Sequence, residues 1–453
     1  MKTAETAMPL AQEPLPLPAG AGQEPSSWGA RHAHDPTVVQ DDDGTYYMFS
    51  TDAVANSKHI PAGVHIRTST DLVQWKYQGT AFDGVPGAAA TWSGAQGLWA
   101  PDVVRWPGGG WHMYYSASTF GSNTSAIGLA VAPSPNGPWE DRGLVVATRS
   151  GEHSQNAIDA AVAFDADGNP WLTYGSFFSG IYILPLDAGS GLPRVAGDLG
   201  SVIARRQQSV EGAVEGAFIL RRPQDGRYIL FTSYDSLFST YNVRVAVADH
   251  ITGPYRDFRG IEMTDVEAPP AAVGTKVLGS YQFDGGTAWL APGHNSVLTQ
   301  KGPDGSDEYF VVHHVRFAAE PSQHVVHVRR LFFTAAGWPV ISPQPFAGLR
   351  SEAVPAPVEV AGTWQVLRFD PESTDIAPAV RMNLKCVEPC HAEFRGRPAA
   401  VRLRPEGTGC EAGTELDAVV FSSWDWSRNR PALSFSGIDQ HGVAWSGTRE
   451  GLL

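Results

Sequence analysis

The chain has 453 residues, 42% of them apolar and only 18% charged, which is ample for a sizeable core and too long for one small domain. A net charge of −14 argues against a general nucleic-acid-binding surface. The absence of any apolar run of about 18 residues argues against a transmembrane helix, and three cysteines exclude a disulfide-rich scaffold. The 48 glycines, 34 prolines and 14 tryptophans point to turns and aromatic strands, hence to an all-β chain.

Residues 1–30 carry apolar letters broken by Pro, Glu and Gln, which reads as a disordered, Pro-rich tail. A signal peptide needs a basic start and an unbroken apolar core, and none is visible. Either the protein is not exported by this route or its start lies upstream of this chain.

From residue 31 onward one pattern recurs five times. A polar residue opens an apolar run, a Gly or Asp turn follows, and an aromatic strand returns. The copies open at Asp35 (turn DDDG, then TYYMFST), Asp102 (PGGG, WHMYYSAS), Asp159 (DADG, PWLTYGSF), Glu215 (PQDG, RYILFTSY) and His294 (GPDG, EYFVVHHV). Each copy is a hairpin with a glycine-favouring turn. The openers recur at intervals of about 55–80 residues, which fits one four-stranded propeller blade. Five copies predict a five-bladed β-propeller over 31–349.

Residues 350–453 read as a separate small β domain. Its strands include TWQVLRF, AVVFSSW and PALSFSGI. Gly362-Thr-Trp364 is similar to the opening of a lipocalin-like β-barrel, although a plain strand with a buried Trp explains it as well. Cys386, Cys390 and Cys410 allow at most one internal bridge. They lack a His at zinc-site spacing, so they read as structural.

Innermost strands converge on a propeller's axis, so the five openers are expected to share one funnel. Crowded carboxylates split their proton affinities, and glycoside cleavage needs such a pair, one acid and one base or nucleophile. Bland readings exist for each. Asp35 precedes Pro and Asp102 follows Ala-Pro, so either could serve a turn, and His294 could bond only backbone. Glu211 in VEGAVEGAF competes with Glu215 for the fourth position, but only Glu215 leads into Phe-Ile-Leu at strand spacing.

RHAHDPTVVQDDDGTYYMFST, GLWAPDV, YYSASTFGSNTSAIGLA, NAIDAAVAFDADGNPWLTYGSF, STYNVRVAVADHITGPY, APGHNSV and GWPVISP resemble endo-α-1,5-L-arabinanases of glycoside hydrolase family 43. The tail domain resembles the small barrel of the two-domain members. The resemblance implies inverting hydrolysis of an arabinan backbone. Asp35 would be the general base, Glu215 the general acid, and Asp159 the residue that orients the acid and modulates its protonation. His294 would help hold a hydrated metal, calcium, on the axis. Trp99 and Phe120 would stack on sugars, with His34, Asn156 and Ser176 completing the substrate-binding set. Arabinan or its oligosaccharides would be the partner of a monomeric, secreted or periplasmic enzyme that engages neither nucleic acid nor membrane.

Two positions depart from the family pattern. Ala160 follows Asp159, and Gly216-Ala217 follows Glu215, where Pro-containing motifs are common. An exo-acting arabinofuranosidase or β-xylosidase would share the carboxylates. A retaining fructan-type hydrolase would show Asn-Asp-Pro and Glu-Cys motifs, and neither is present. A non-catalytic sugar-binding propeller would not need all three carboxylates.

Overall fold

The computed structural model describes residues 12–18, 20–57, 59–354, 356–387, 393–407 and 410–451. Its strands form five consecutive blade sheets followed by a closed barrel, the fifth sheet being extended by Tyr281–Gln282 and, in parallel, by Ala377–Pro378. Blade 1 runs from His34–Gln40 to Lys76–Thr80, blade 2 from Trp99–Arg105 to Glu140–Thr148, and blade 3 from Ala161–Phe164 to Ser201–Ala204. Blade 4 runs from Val214–Arg221 to Thr275–Leu278, and blade 5 from Trp289–Lys301 to Pro339–Ile341. Each blade pairs its strands in chain order, as the hairpin repeats predict. Both faces of a blade are covered by its neighbours, so second strands such as Trp111–Ala117 and Tyr228–Tyr234 are buried at every position. That explains why they read as continuous apolar and aromatic runs.

The segment before blade 1 corrects the expectation of a free tail. Leu17 exchanges two hydrogen bonds with Gln323, N–H to Oε1 at 2.9 Å and Nε2 to the carbonyl at 2.8 Å. Trp28 is 1% exposed and packs on Tyr77 at 4.5 Å between ring centroids. Val326 N–H donates to Ala30 and His32 N–H to His324. Residues 30–32 therefore bind the third strand of blade 5 while leading into blade 1, which ties the ring shut. The prolines lower the entropy lost on ordering this segment, and one buried Trp anchors it. Residues 1–11 lie outside the described part.

The last propeller strand ends at Ile341 and the barrel opens at Gly362–Phe369. The barrel closes on six strands, with Trp364 wholly buried against Phe435. Cys386 is disulfide-bonded and Cys410 is a free thiol; Cys390 lies outside the described residues.

The barrel is docked firmly on the propeller. Leu367, Phe369 and Ala444 join the core between blades 4 and 5, and Phe332 stacks on Phe421 at 4.2 Å. Buried Arg244 of blade 4 donates to the carbonyls of Ala271 (2.7 Å), Val273 (2.9 Å) and, in the tail domain, Pro371 (2.8 Å). Arg244→Ala strands these carbonyls without donors. It is expected to cost roughly 3 kcal/mol or more, read as a lower denaturation midpoint, and to loosen the barrel first in hydrogen exchange.

Candidate active site

The site is assembled by a backbone device repeated around the axis. At the axial end of four blades an inner-strand residue pairs with a residue near the end of the second strand: His34 with Thr51, Trp99 with Ser116, Glu215 with Ser233, and Gly293 with His314. In blade 3, Gly175 N–H bonds the carbonyl of Ile158. The residue that follows in each blade is Asp35, Ala100, Asp159, Gly216 or His294. All five have positive φ, at 51, 39, 60, 58 and 48°. Non-glycine residues rarely adopt that region, and here a neighbouring blade holds each in place. Ala100 N–H donates to Thr51 Oγ1 (2.8 Å), Asp159 N–H to Ser116 Oγ (2.9 Å), and His294 N–H to Ser233 Oγ (2.7 Å). Asp35 N–H donates to His314 Nδ1 (3.3 Å), which closes the circle from blade 5 to blade 1. Blade 3 offers only Gly175 at this place, so Gly216 N–H turns to Asp159 Oδ2 at 3.2 Å.

This register corrects the alignment of the repeats. The true equivalent of Asp35 in blade 2 is Ala100, and in blade 4 it is Gly216. Asp102 lies two residues deeper and does not join the funnel. Its carboxylate accepts Thr37 Oγ1 at 3.1 Å and Val162 N–H at 2.8 Å, stapling blades 1, 2 and 3. Burial raises its pKa to about 6. Glu215 reaches the mouth from the preceding position, and Glu211 stays exposed on a short turn of helix.

Asp35 is held by several groups at once. Its Oδ2 accepts Thr51 Oγ1 at 2.5 Å and lies 2.8 Å from His34 Nδ1, and its Oδ1 lies 3.1 Å from His294 Nδ1. Burial alone would raise its pKa; His34 and His294 outweigh burial and hold it well below the ordinary carboxylate range. His314 lies 3.5 Å from the same carboxylate, but burial pushes its pKa well down. It is neutral, and its Nδ1 accepts the Asp35 N–H instead of forming an ion pair. His34 stacks on His314 at 3.7 Å and meets Arg316 through Nε2 at 3.2 Å.

Both oxygens of Glu215 accept a hydroxyl, Ser176 Oγ at 2.6 Å and Tyr241 OH at 2.7 Å. Asn156 braces Ser176 by donating to its carbonyl at 3.2 Å and accepts Ser125 Oγ at 2.7 Å. Ser176 and Asn156, like His34, thus spend polar atoms on the carboxylates or on one another. Tyr241 is wholly enclosed, stacks on His314 at 5.7 Å, and would collide with a Cβ on Gly293. That is the physical reason for Gly in Gly-His-Asn-Ser. Trp99 is half-buried at the mouth, and Phe120, on the loop after the second strand of blade 2, is 80% exposed.

Asp159 is buried, and its pKa is raised well above the usual range by burial, then by the charges of Glu215 and Asp35. The folded state therefore prefers the protonated form. Stability falls as pH rises from the unfolded pKa toward the folded one, and the penalty stays in force above it. Asp159→Asn is expected to melt higher than the wild type near neutral pH, with the gap closing toward pH 4, while activity drops. Paired melting curves across pH check this.

Tyr241, Thr51, His314 and Arg316 escaped sequence reasoning. Thr51 and His314 do stand at the ends of the aromatic strands that follow each opener. Pairing opener with strand end, residue by residue, is the signal that reaches them.

His294 Nδ1 sits between two carboxylates, 3.1 Å from Asp35 and 4.0 Å from Asp159. Next to it, Asn295 buries both amide atoms without a protein partner, as does Ser296 its hydroxyl. Such buried polar atoms fit water or a hydrated ion. The tightest potential ligand group among the described residues is His34, Asp35 and His314, whose two imidazoles suit calcium poorly.

A five-bladed propeller with three buried carboxylates at one axial mouth defines an acid–base hydrolase site of the sugar-cleaving kind. Residues 29–339 match Glycosyl hydrolases family 43, and the chain belongs to that family. It is similar to extracellular endo-alpha-(1->5)-L-arabinanase 2 of Bacillus subtilis (strain 168), at 29% identity over 457 residues covering 92% of each chain. The solved endo-1,5-alpha-L-arabinanase of Thermotoga petrophila RKU-1 superposes with a TM-score of 0.77 at 26% identity, covering 94% of this chain and 99% of that one. The extracellular exo-alpha-(1->5)-L-arabinofuranosidase ArbA of Cellvibrio japonicus (strain Ueda107) is 32% identical over 330 residues, 68% of this chain and 86% of its own.

Proposed function

We propose that this protein hydrolyses α-1,5-L-arabinofuranosidic bonds within arabinan chains, with inversion at the anomeric carbon. The observation that carries this reading is the division of labour at the mouth. One carboxyl, Asp35, is held ionised and suits a base, while a second, Glu215, is fixed in position by Ser176 and Tyr241 and is taken as the acid. Asp35 takes a proton from water as that water attacks the anomeric carbon. Glu215 gives its proton to the departing glycosidic oxygen as the carbon–oxygen bond breaks. Asp159, anchored by Gly216 N–H, keeps the acid's backbone in place. Endo action is favoured over exo action because the relatives that match over 92% of this chain are endo-arabinanases.

His294, with Asn295 and Ser296 beside it, is the natural holder of a hydrated calcium ion, which when bound would add positive charge under the carboxylates. The extracellular relatives support secretion, and no helix among the described residues is long and apolar enough to cross a membrane. The reading also takes the enzyme as a monomer.

The product profile on linear 1,5-arabinan, with a chelator control, tests these points. Early release of mixed short oligosaccharides is expected, with loss of rate on chelation. Arabinose alone would establish exo action, and no products from folded protein would overturn the substrate assignment.

A further inference from the structure

The loops that join second to third strands leave the propeller on the catalytic face, because the second strands end there beside Thr51, Ser116 and Ser233. Three of these loops repeat a Ser-x-Phe motif: Ser118-Thr119-Phe120, Ser176-Phe177-Phe178 and Ser236-Leu237-Phe238. Their last residues are the three exposed phenylalanines of the described chain, at 80, 40 and 54%. Single exposed apolar residues are ordinary. The same residue on equivalent loops of three successive blades around one mouth is not scatter.

The loops are pinned. Phe177 and Phe178 both hold positive φ, at 53 and 43°, a conformation costly for aromatic residues and retained only where surroundings impose it. Phe177 N–H donates to Val214 at 2.9 Å, and Gln208 Nε2 to the Phe178 carbonyl at 3.2 Å. Phe238 lies over the Arg316 guanidinium at 5.1 Å, and Arg316 Nε holds the Leu237 carbonyl at 2.7 Å. Phe120 and Phe238 face each other at 6.4 Å between centroids, tilted by 55°.

We propose that Phe178 and Phe238, with Phe120, form an aromatic rail that stacks on the apolar faces of successive sugars flanking the scissile bond. The ligand it fits is an uncharged, linear furanose chain, since the motif's own residues offer rings and hydroxyls and no charge. Ser176, two residues before Phe178, donates to Glu215, so Phe178 serves the leaving-group side. The inference rests on the arabinan-hydrolase reading and makes this enzyme selective for longer chains.

The test compares the wild type with Phe178→Ala and Phe238→Ala, both exposed positions that the fold tolerates, and with Val195→Ala as an exposed control elsewhere. Retardation of each protein in gels containing linear arabinan reads binding without catalysis, and kcat/KM on arabinohexaose and arabinotriose reads selectivity. Each Phe variant is expected to lose retardation and to lower the hexaose-to-triose ratio of kcat/KM roughly fivefold to tenfold, as for one lost stacking contact. Val195→Ala is expected to change neither. Unchanged retardation and ratio would overturn the rail, as would equal losses on both oligosaccharides. Conversion of a dimer to a monomer by Phe238→Ala with binding intact would also overturn it. A wild type that is retarded by arabinan but cleaves nothing would sink the hydrolase reading alone.

Discussion

Glu215→Gln is expected to lower kcat on linear arabinan by roughly 10²–10⁴-fold while the protein stays folded. Gln keeps the shape of the side chain. Its carbonyl oxygen can still accept Tyr241, and Ser176 can rotate its hydroxyl to accept from the new amide. The proton that must reach the departing sugar oxygen is gone. The effect should depend on the leaving group. An aryl arabinofuranoside whose phenolate departs unaided should lose far less than the polysaccharide. Equal losses on both substrates would remove Glu215 from the acid role and return Glu211 to consideration.

Asp35→Asn should be as damaging, by roughly 10²–10⁴-fold, but without that dependence. Water activation is needed whatever leaves, so the aryl substrate and arabinan should suffer alike. The variant is a clean one in structural terms. Asp35 sits at a φ of 51°, and Asn tolerates that region better than most residues. The Asn oxygen can still accept Thr51. Stability should respond in a pH-dependent way. A carboxylate whose folded pKa is depressed contributes stability above its unfolded pKa, and that contribution is lost as pH falls through the folded value. Asp35→Asn should therefore cost more stability at neutral pH than at pH 3. This is opposite in sign to Asp159→Asn, whose carboxyl is pushed the other way by its surroundings. Melting curves of the two variants at both pH values would show whether two acids a few residues' width apart are driven in opposite directions.

Hairpin repeats made the propeller legible because a blade is a local object. Alternation, turn glycines and aromatic returns are written within about 30 consecutive residues. The same locality explains the error in the repeats. Matching polar openers by type aligned Asp102 and Glu215 with Asp35, whereas the strand pairing that sets equivalence aligns Ala100 and Gly216. A shift of one residue in a strand turns a side chain to the other face, so residue type without register misplaces a group. The Pro-rich start was misread for a related reason. Its order comes from Gln323 and Val326, some 300 residues away, and composition carries no trace of them.

The chain by itself determined that the fold is all-β, that five blades precede a small barrel, and which carboxylates were candidates for chemistry. Those are properties of periodicity and motif. Only the tertiary structure decided which carboxylate stays ionised. That depends on burial and on His34, His294 and Glu215 arriving from three different blades. It also decided that Tyr241 and Ser176 grip one acid together, and that three loops set their phenylalanines around one mouth. Side chains far apart in sequence acquire a shared electrostatic environment only when the ring closes.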